Sequence, residues 1–194
     1  AVGKVGYYLW SQLDAAGITR DNFMTHSVLS CKPSGKLVDM PYTDQAITHC
    51  APNLDATIAR AGGLAAAAGR TLVIVALGRT AFKRLLDLQD WDPIMKADYY
   101  CYPHWSSRYG AWIYGAPHPS YLMQGNHKET PILQYCVQRA LEVAEHGLVI
   151  IPRMLTRICD ERQSKSGGAL FYITVEAEFD FVCAEDGSKA TART

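Results

Sequence analysis

The chain has no surplus of charge. Its 194 residues carry 19 lysines and arginines against 19 aspartates and glutamates. That gives no support to a broad electrostatic grip on nucleic acid and leaves room only for a local basic patch. No run reaches the ~18 apolar residues of a helical membrane span, so no membrane is expected. The opening stretch AVGKVGYYLW has no basic start, no long apolar stretch and no cleavage-like site, so it does not read as a signal peptide. It has no initial methionine either and starts in the middle of a pattern, so a segment upstream of Ala1 is expected. Six cysteines are scattered at 31, 50, 101, 136, 159 and 183. With no secretory signal they suit a reducing cytosol, where thiols are buried, catalytic or metal-bound.

What is present is a core. The chain is 48% hydrophobic, enough for one domain with an appendage. GYYLWSQLDAAG has helical spacing over 5–16, with Gly17 as its stop. NFMTHSVLSC is apolar and β-branched and reads as a strand over 23–30 leading into the loop CKPSG. The stretch from Thr43 reads as one helix broken near Pro52 and ending around the glycines of AGGLAAAAG. RTLVIVALG is the strongest strand, over 71–77, and its unbroken apolar run suits a parallel sheet buried on both faces. RTAFKRLLDL follows as a helix. Residues 89–109 are rich in aromatic and turn residues and read as an insertion or structured loop. GAWIYG is a third strand over 111–115, and KETPILQYCVQRALEVAEHG is a helix stopped by Gly147. The alternation predicts an α/β fold, a three-layer α/β/α sandwich around a parallel sheet. It occupies residues 1–150, and 151–194 form an extension that alternates like a strand or hairpin.

In such sheets the loops at the carboxyl ends of strands carry function. One of them, APHPSYL, brackets His118 with two prolines. Proline cannot donate to a ladder and disfavours helix in the residue before it, so His118 sits on a stiff, extended loop at a strand end. A lone histidine is most often a surface or satisfied core residue, and Cys31 and Cys50 alone are more often buried thiols than ligands. The single glycine of VALG is too weak a signal to assign a nucleotide-binding turn.

The order of these pieces is more specific. VGKVGYYLWSQLDAAGITRDNFMTHSVLSCKPSG, then HC on a helix, then VIVALGRTA, then HPSYL, resembles the iron–sulfur (family 4-type) uracil-DNA glycosylases, which have relatives fused to some phage DNA polymerases. That family shows GRAG..L, GI.R...YITNVVKCRPPGN, a second cysteine on the next helix, VIVALG..A and HPS..LL. The likeness runs over about residues 2–146. It implies an enzyme that flips uracil, or a related deaminated base, out of DNA and hydrolyses its N-glycosidic bond. His118 matches the family histidine that stabilises the departing base. Ser120 would contact a DNA phosphate, and Leu122 would wedge into the gap the base leaves. Cys31 and Cys50 match two of the four cysteines that hold a 4Fe-4S cluster. The other cluster cysteines and the water-positioning loop GEAPG would lie upstream of Ala1.

The likeness also has gaps. Ser27, with His26 beside it, stands where the family has its uracil-reading asparagine, and a serine makes one hydrogen bond where asparagine makes two. CKPSGK lacks the family's PPGN. The resemblance implies DNA as partner, together with a fused or associated DNA polymerase, in the cytoplasm of a prokaryote or phage-infected host. Lys32, Lys36, Arg79, Lys83 and Lys128 lie near the strand-end loops and are the expected phosphate contacts. The alternative is a glycosylase-fold DNA-binding or scaffold module of a larger replication protein that has no catalysis.

Overall fold

The computed structural model describes residues 3–30, 41–88, 102–163, 169–183 and 189–193, with no side-chain description at 22 or from 150 onward. The chain divides into two compact units, Ala1–His146 and Gly147–Thr194. Among the described residues no helix is long and apolar enough to cross a membrane.

The first unit opens with α1 (Lys4–Ala15), and Gly17 ends it in the left-handed region at φ +75°. Residues 23–30, expected as a strand, are not one. Their β-branched composition gives extended backbone, as at Phe23 (φ −124°, ψ 137°), but they form no ladder in the structure. The next helix, α2 (Thr43–Ala67), runs straight through Pro52, correcting the expected break. An interior proline costs roughly 3 kcal/mol. Cys50, Leu54 and Ile58 lie four residues apart on one buried stripe spanning that proline. At about 1.5–3 kcal/mol per buried side chain, the stripe outweighs the lost bond.

Strand β1 (Val73–Leu77) leads through Gly78 into α3 (Arg79–Leu85). Strands β2 (Pro103–Ser106) and β3 (Ala111–Ala116) form a hairpin. The sheet order is β1–β3–β2. β1 and β3 are parallel, from Val73 opposite Trp112 to Leu77 opposite Ala116, and β2 lies antiparallel to β3. The sheet is therefore mixed where a wholly parallel one was expected. Its antiparallel member comes from the segment expected to be an insertion or loop, because the turn at 107–110, with Gly110 at φ +56°, folds HWSS back on AWIY. Residues 89–101 lie outside the described residues.

Helices cover both faces of this sheet. Ile113 packs with Ala76, with Leu54 and Ile58 of α2, and with Phe82 and Leu85 of α3. Side chains alternate along a strand, so Tyr114 takes the opposite face. There it meets α5 (Thr130–His146), introduced by the short α4 (Pro119–Met123). The Cys136 thiol of α5 donates to the Gly115 carbonyl at 3.2 Å. The architecture is α/β with helix layers on either side of the sheet. Asp55 of α2 ties one layer together: it accepts from Tyr109 and Arg108 at 2.8 Å each and pairs with Arg84 of α3 at 3.5 Å.

The second unit is a three-stranded antiparallel sheet, β4 (Leu148–Gln163), β5 (Ala169–Cys183) and β6 (Lys189–Arg193) in that order. Its β4–β5 register shifts between Pro152 and Met154, as expected beside a proline, which has no N–H to give the ladder.

Candidate active site

The parallel pairing of β1 and β3 brings their carboxyl ends level. The Gly78 N–H donates to the Ala116 carbonyl at 2.8 Å, carrying the contact one residue past the ladder. Beyond it the chain bends into Pro117 and Pro119, both fully buried. They fix the backbone on each side of His118, which is extended at φ −70°, ψ 134° and caps α4. Two prolines anchored in the core therefore hold one solvent-accessible imidazole at the carboxyl end of the central strand.

The imidazole is oriented from beneath by Ser120. The Ser120 backbone N–H donates to His118 Nδ1 at 3.1 Å, and Ser120 Oγ lies 2.6 Å from the same nitrogen. A backbone N–H can only donate, so Nδ1 must keep its lone pair, and the ring proton of the neutral form resides on Nε2. Partial enclosure of the ring by its loop lowers the His118 pKa from its ordinary 6.5. Both effects favour a neutral imidazole whose Nε2–H is available to a ligand.

Gly78 makes this arrangement possible. Its φ is +84°, and a Cβ there would stand 2.8 Å from His118 Cβ. Glycine is needed twice over at this position, for the backbone angle and for the close approach. The signal in the sequence was the glycine that follows VAL. Its contact with a histidine forty residues later was not legible.

Ser120, expected at a DNA phosphate, meets the imidazole: with Nδ1 an acceptor, the serine hydroxyl can donate to it at 2.6 Å. Leu122, expected as the wedge, is corrected: it is 0% exposed and belongs to the core, because the turn of α4 directs it inward. The exposed residues of that turn are Tyr121 (42%) and Met123 (37%). Of the expected phosphate contacts, Arg79 is exposed on the first turn of α3 next to Gly78, Lys83 is half-buried, and Lys128 is exposed on the turn before α5. Lys32 and Lys36 lie outside the described residues.

Ser27 and His26 line a shallow groove with Thr25, Leu29 and Ser30. His118 is not among its lining residues. His26 Nδ1 lies 2.7 Å from the Ser27 carbonyl. A carbonyl only accepts, so the proton of neutral His26 is on Nδ1, and Nε2 is left as an acceptor.

Cys50 is buried on α2 at 4% exposure. Cys31 lies outside the described residues, but its neighbour Ser30 does not. Asn53, less than one turn beyond Cys50, donates to Ser30 Oγ at 3.2 Å. Among the described residues no group of three or more histidine, cysteine, aspartate or glutamate side chains could hold a metal ion. The described residues therefore do not by themselves make up a cluster site.

A family model described as "Uracil DNA glycosylase superfamily" matches residues 2–140. No curated protein and no solved structure matches the chain.

Proposed function

The chain belongs to the uracil-DNA glycosylase superfamily, and from that premise we propose that it hydrolyses the N-glycosidic bond of uracil, or of a related deaminated base, flipped out of DNA. When that bond breaks, its electron pair leaves with the base and negative charge gathers on the base O2. His118 stabilises this charge by donating from Nε2–H. Water supplies the hydroxyl that ends on the sugar C1′, and its proton balances the charge of the departed base.

The observation that supports this reading most is the bond from the Ser120 N–H to His118 Nδ1. It sets the tautomer that puts a proton where an oxyanion needs one, with little reorganisation during the reaction. Ser120 is a positioning residue here. Arg79, Lys83 and Lys128 supply phosphate contacts on the strand-end face, and Lys32 and Lys36 are proposed for the same role. Ser27 and His26 read the base edge: the His26 Nε2 acceptor suits the N3–H of uracil, in place of the paired contacts an asparagine would give.

Cys31 and Cys50 are proposed as two thiolates of an iron–sulfur cluster, which would pin the loop after residue 30. The bond between Asn53 and Ser30 supports this, since it holds the residue before Cys31 against the helix turn beside Cys50.

The test is uracil release from a labelled oligonucleotide. His118→Ala should keep its fold and its DNA binding, and lose roughly 10²- to 10³-fold in release rate, the usual effect of removing one such donor. Release at the parent rate would reduce the imidazole to a structural element. Binding without any release by the parent protein would favour the non-catalytic scaffold.

A further inference from the structure

The first turns of α1 and the end of α4 form a second groove, which the chemistry above does not use. It is lined by Lys4, Tyr7 and Tyr8 from α1 and by Met123 from α4. Tyr7 is 74% exposed, an unusual state for a ring with no evident role in packing. Tyr8 is fixed: its hydroxyl lies 3.0 Å from Thr130 Oγ1 and 3.4 Å from His127 Nδ1. The groove is thus lined by one aromatic ring held by hydrogen bonds, one exposed aromatic ring and a thioether.

Its position and charge narrow the occupant. Met123 ends the helix that His118 caps. At 1.5 Å per residue, the two lie about 7 Å apart along the axis, one or two nucleotides of strand. Lys4 lies in the groove, and Lys128 is exposed on the turn that carries His127. Glu129, the acidic residue of that turn, accepts a hydrogen bond from the Tyr121 hydroxyl at 2.9 Å. Aromatic rings for stacking beside cations for phosphate are what a single nucleic-acid strand needs, with no demand on sequence.

We propose that this groove holds the nucleotide next to the flipped one, its base stacked on Tyr7 and its phosphate facing Lys4. The proposal rests on the glycosylase reading of His118 for the word "flipped", but the groove's affinity for a DNA strand does not depend on catalysis.

The experiment measures binding, not excision. The full chain is titrated against a short fluorescent oligothymidylate that contains no uracil, and anisotropy is followed at low and high salt. Tyr7→Ala should weaken binding roughly 5- to 150-fold, the range for losing one stacked base. Tyr7→Trp should restore it, because indole offers a larger stacking face. Since Tyr7 is exposed, neither substitution at that position should change the melting temperature. Parent-like binding by Tyr7→Ala, failure of tryptophan to restore binding, or no binding by the parent would each overturn the subsite. So would a parent dimer that Tyr7→Ala makes monomeric, since the groove would then serve a second copy of the chain. If binding depends on Tyr7 while the parent releases no uracil, the subsite stands and the glycosylase reading falls. If uracil is released while binding ignores Tyr7, the reverse holds.

Discussion

Replacing Gly78 with alanine should disable the site from outside it. The added methyl would stand 2.8 Å from His118 Cβ, where carbon atoms settle at about 3.5–4.0 Å. The shortfall is therefore about 1 Å. His118 Cβ is fixed by its own backbone, so no rotamer change relieves the contact, and the Pro117–Pro119 loop must shift as a unit. The backbone adds a second penalty. At φ +84° and ψ 171° Gly78 occupies a region that is essentially reserved for glycine, and an alanine there costs on the order of 1–3 kcal/mol. For a chain of this size that corresponds to a fall of about 2–4 °C in melting temperature for each kcal/mol. A displacement near 1 Å at a reacting group costs about 10² in rate. The assay pairs thermal unfolding with single-turnover uracil release well below the melting temperature, so that only folded protein is compared. Expected are a lower melting temperature and a release rate about a hundredfold slower. A variant that melts and releases base like its parent would refute both the close approach and its bearing on catalysis.

Four further outcomes follow from named residues. Release should be constant above the ordinary histidine value of 6.5 and fall only on its acid side, because burial lowers the His118 pKa and the neutral ring is the active form. By linkage, the stability that this neutral ring contributes is complete above 6.5 and lost as pH drops through the lowered value; a release profile that rises in acid would contradict the assignment. Leu122→Ala should cost about 2–5 kcal/mol in denaturant unfolding, as for any fully buried leucine, and an unchanged midpoint would put Leu122 back at the surface. Arg79→Ala should weaken DNA binding to a similar degree for all sequences and reduce the log–log salt slope by about one, whereas a parent-like slope would remove it from the interface. Full-length protein should contain iron and absorb visible light, and Cys50→Ala should lose both; iron-free full-length protein purified without air would end the cluster proposal.

Much of the fold could be read from periodicity. The stripe Leu133, Cys136, Val137, Ala140 and Val143 marks α5, and the unbroken run VIVAL marks a buried strand. Both are local patterns with one solution. Two misreadings came from non-local causes. Residues 23–30 have strand composition but no ladder, and composition does not supply a partner. Pro52 reads as a breaker, yet the buried stripe on either side of it carries α2 through. At the site, the proline bracket singled out His118 because proline restricts the backbone wherever it stands. The part of Gly78 depends on a distance across the fold and was hidden, and that of Ser120 depends on how the turn into α4 closes two residues from His118. Leu122 misled for a related reason: its place in the HPSYL motif is clear from the sequence, but whether it faces water is decided by how α4 turns.

The parallel register of β1 and β3 has a consequence for length variation. The lip of the site is where Leu77 stands beside Ala116, with Gly78 and His118 just beyond. One residue gained or lost within either strand moves its end by about 3.3 Å and turns its remaining side chains to the opposite face. Gly78 would then no longer lie beneath His118, even with every residue of the HPS loop unchanged. Point substitutions that keep an apolar side chain can accumulate in these strands, but insertions and deletions cannot. Diverged relatives that retain the activity should therefore differ in length at their loops, with the interval from the start of β1 to Gly78 and from the start of β3 to His118 held constant.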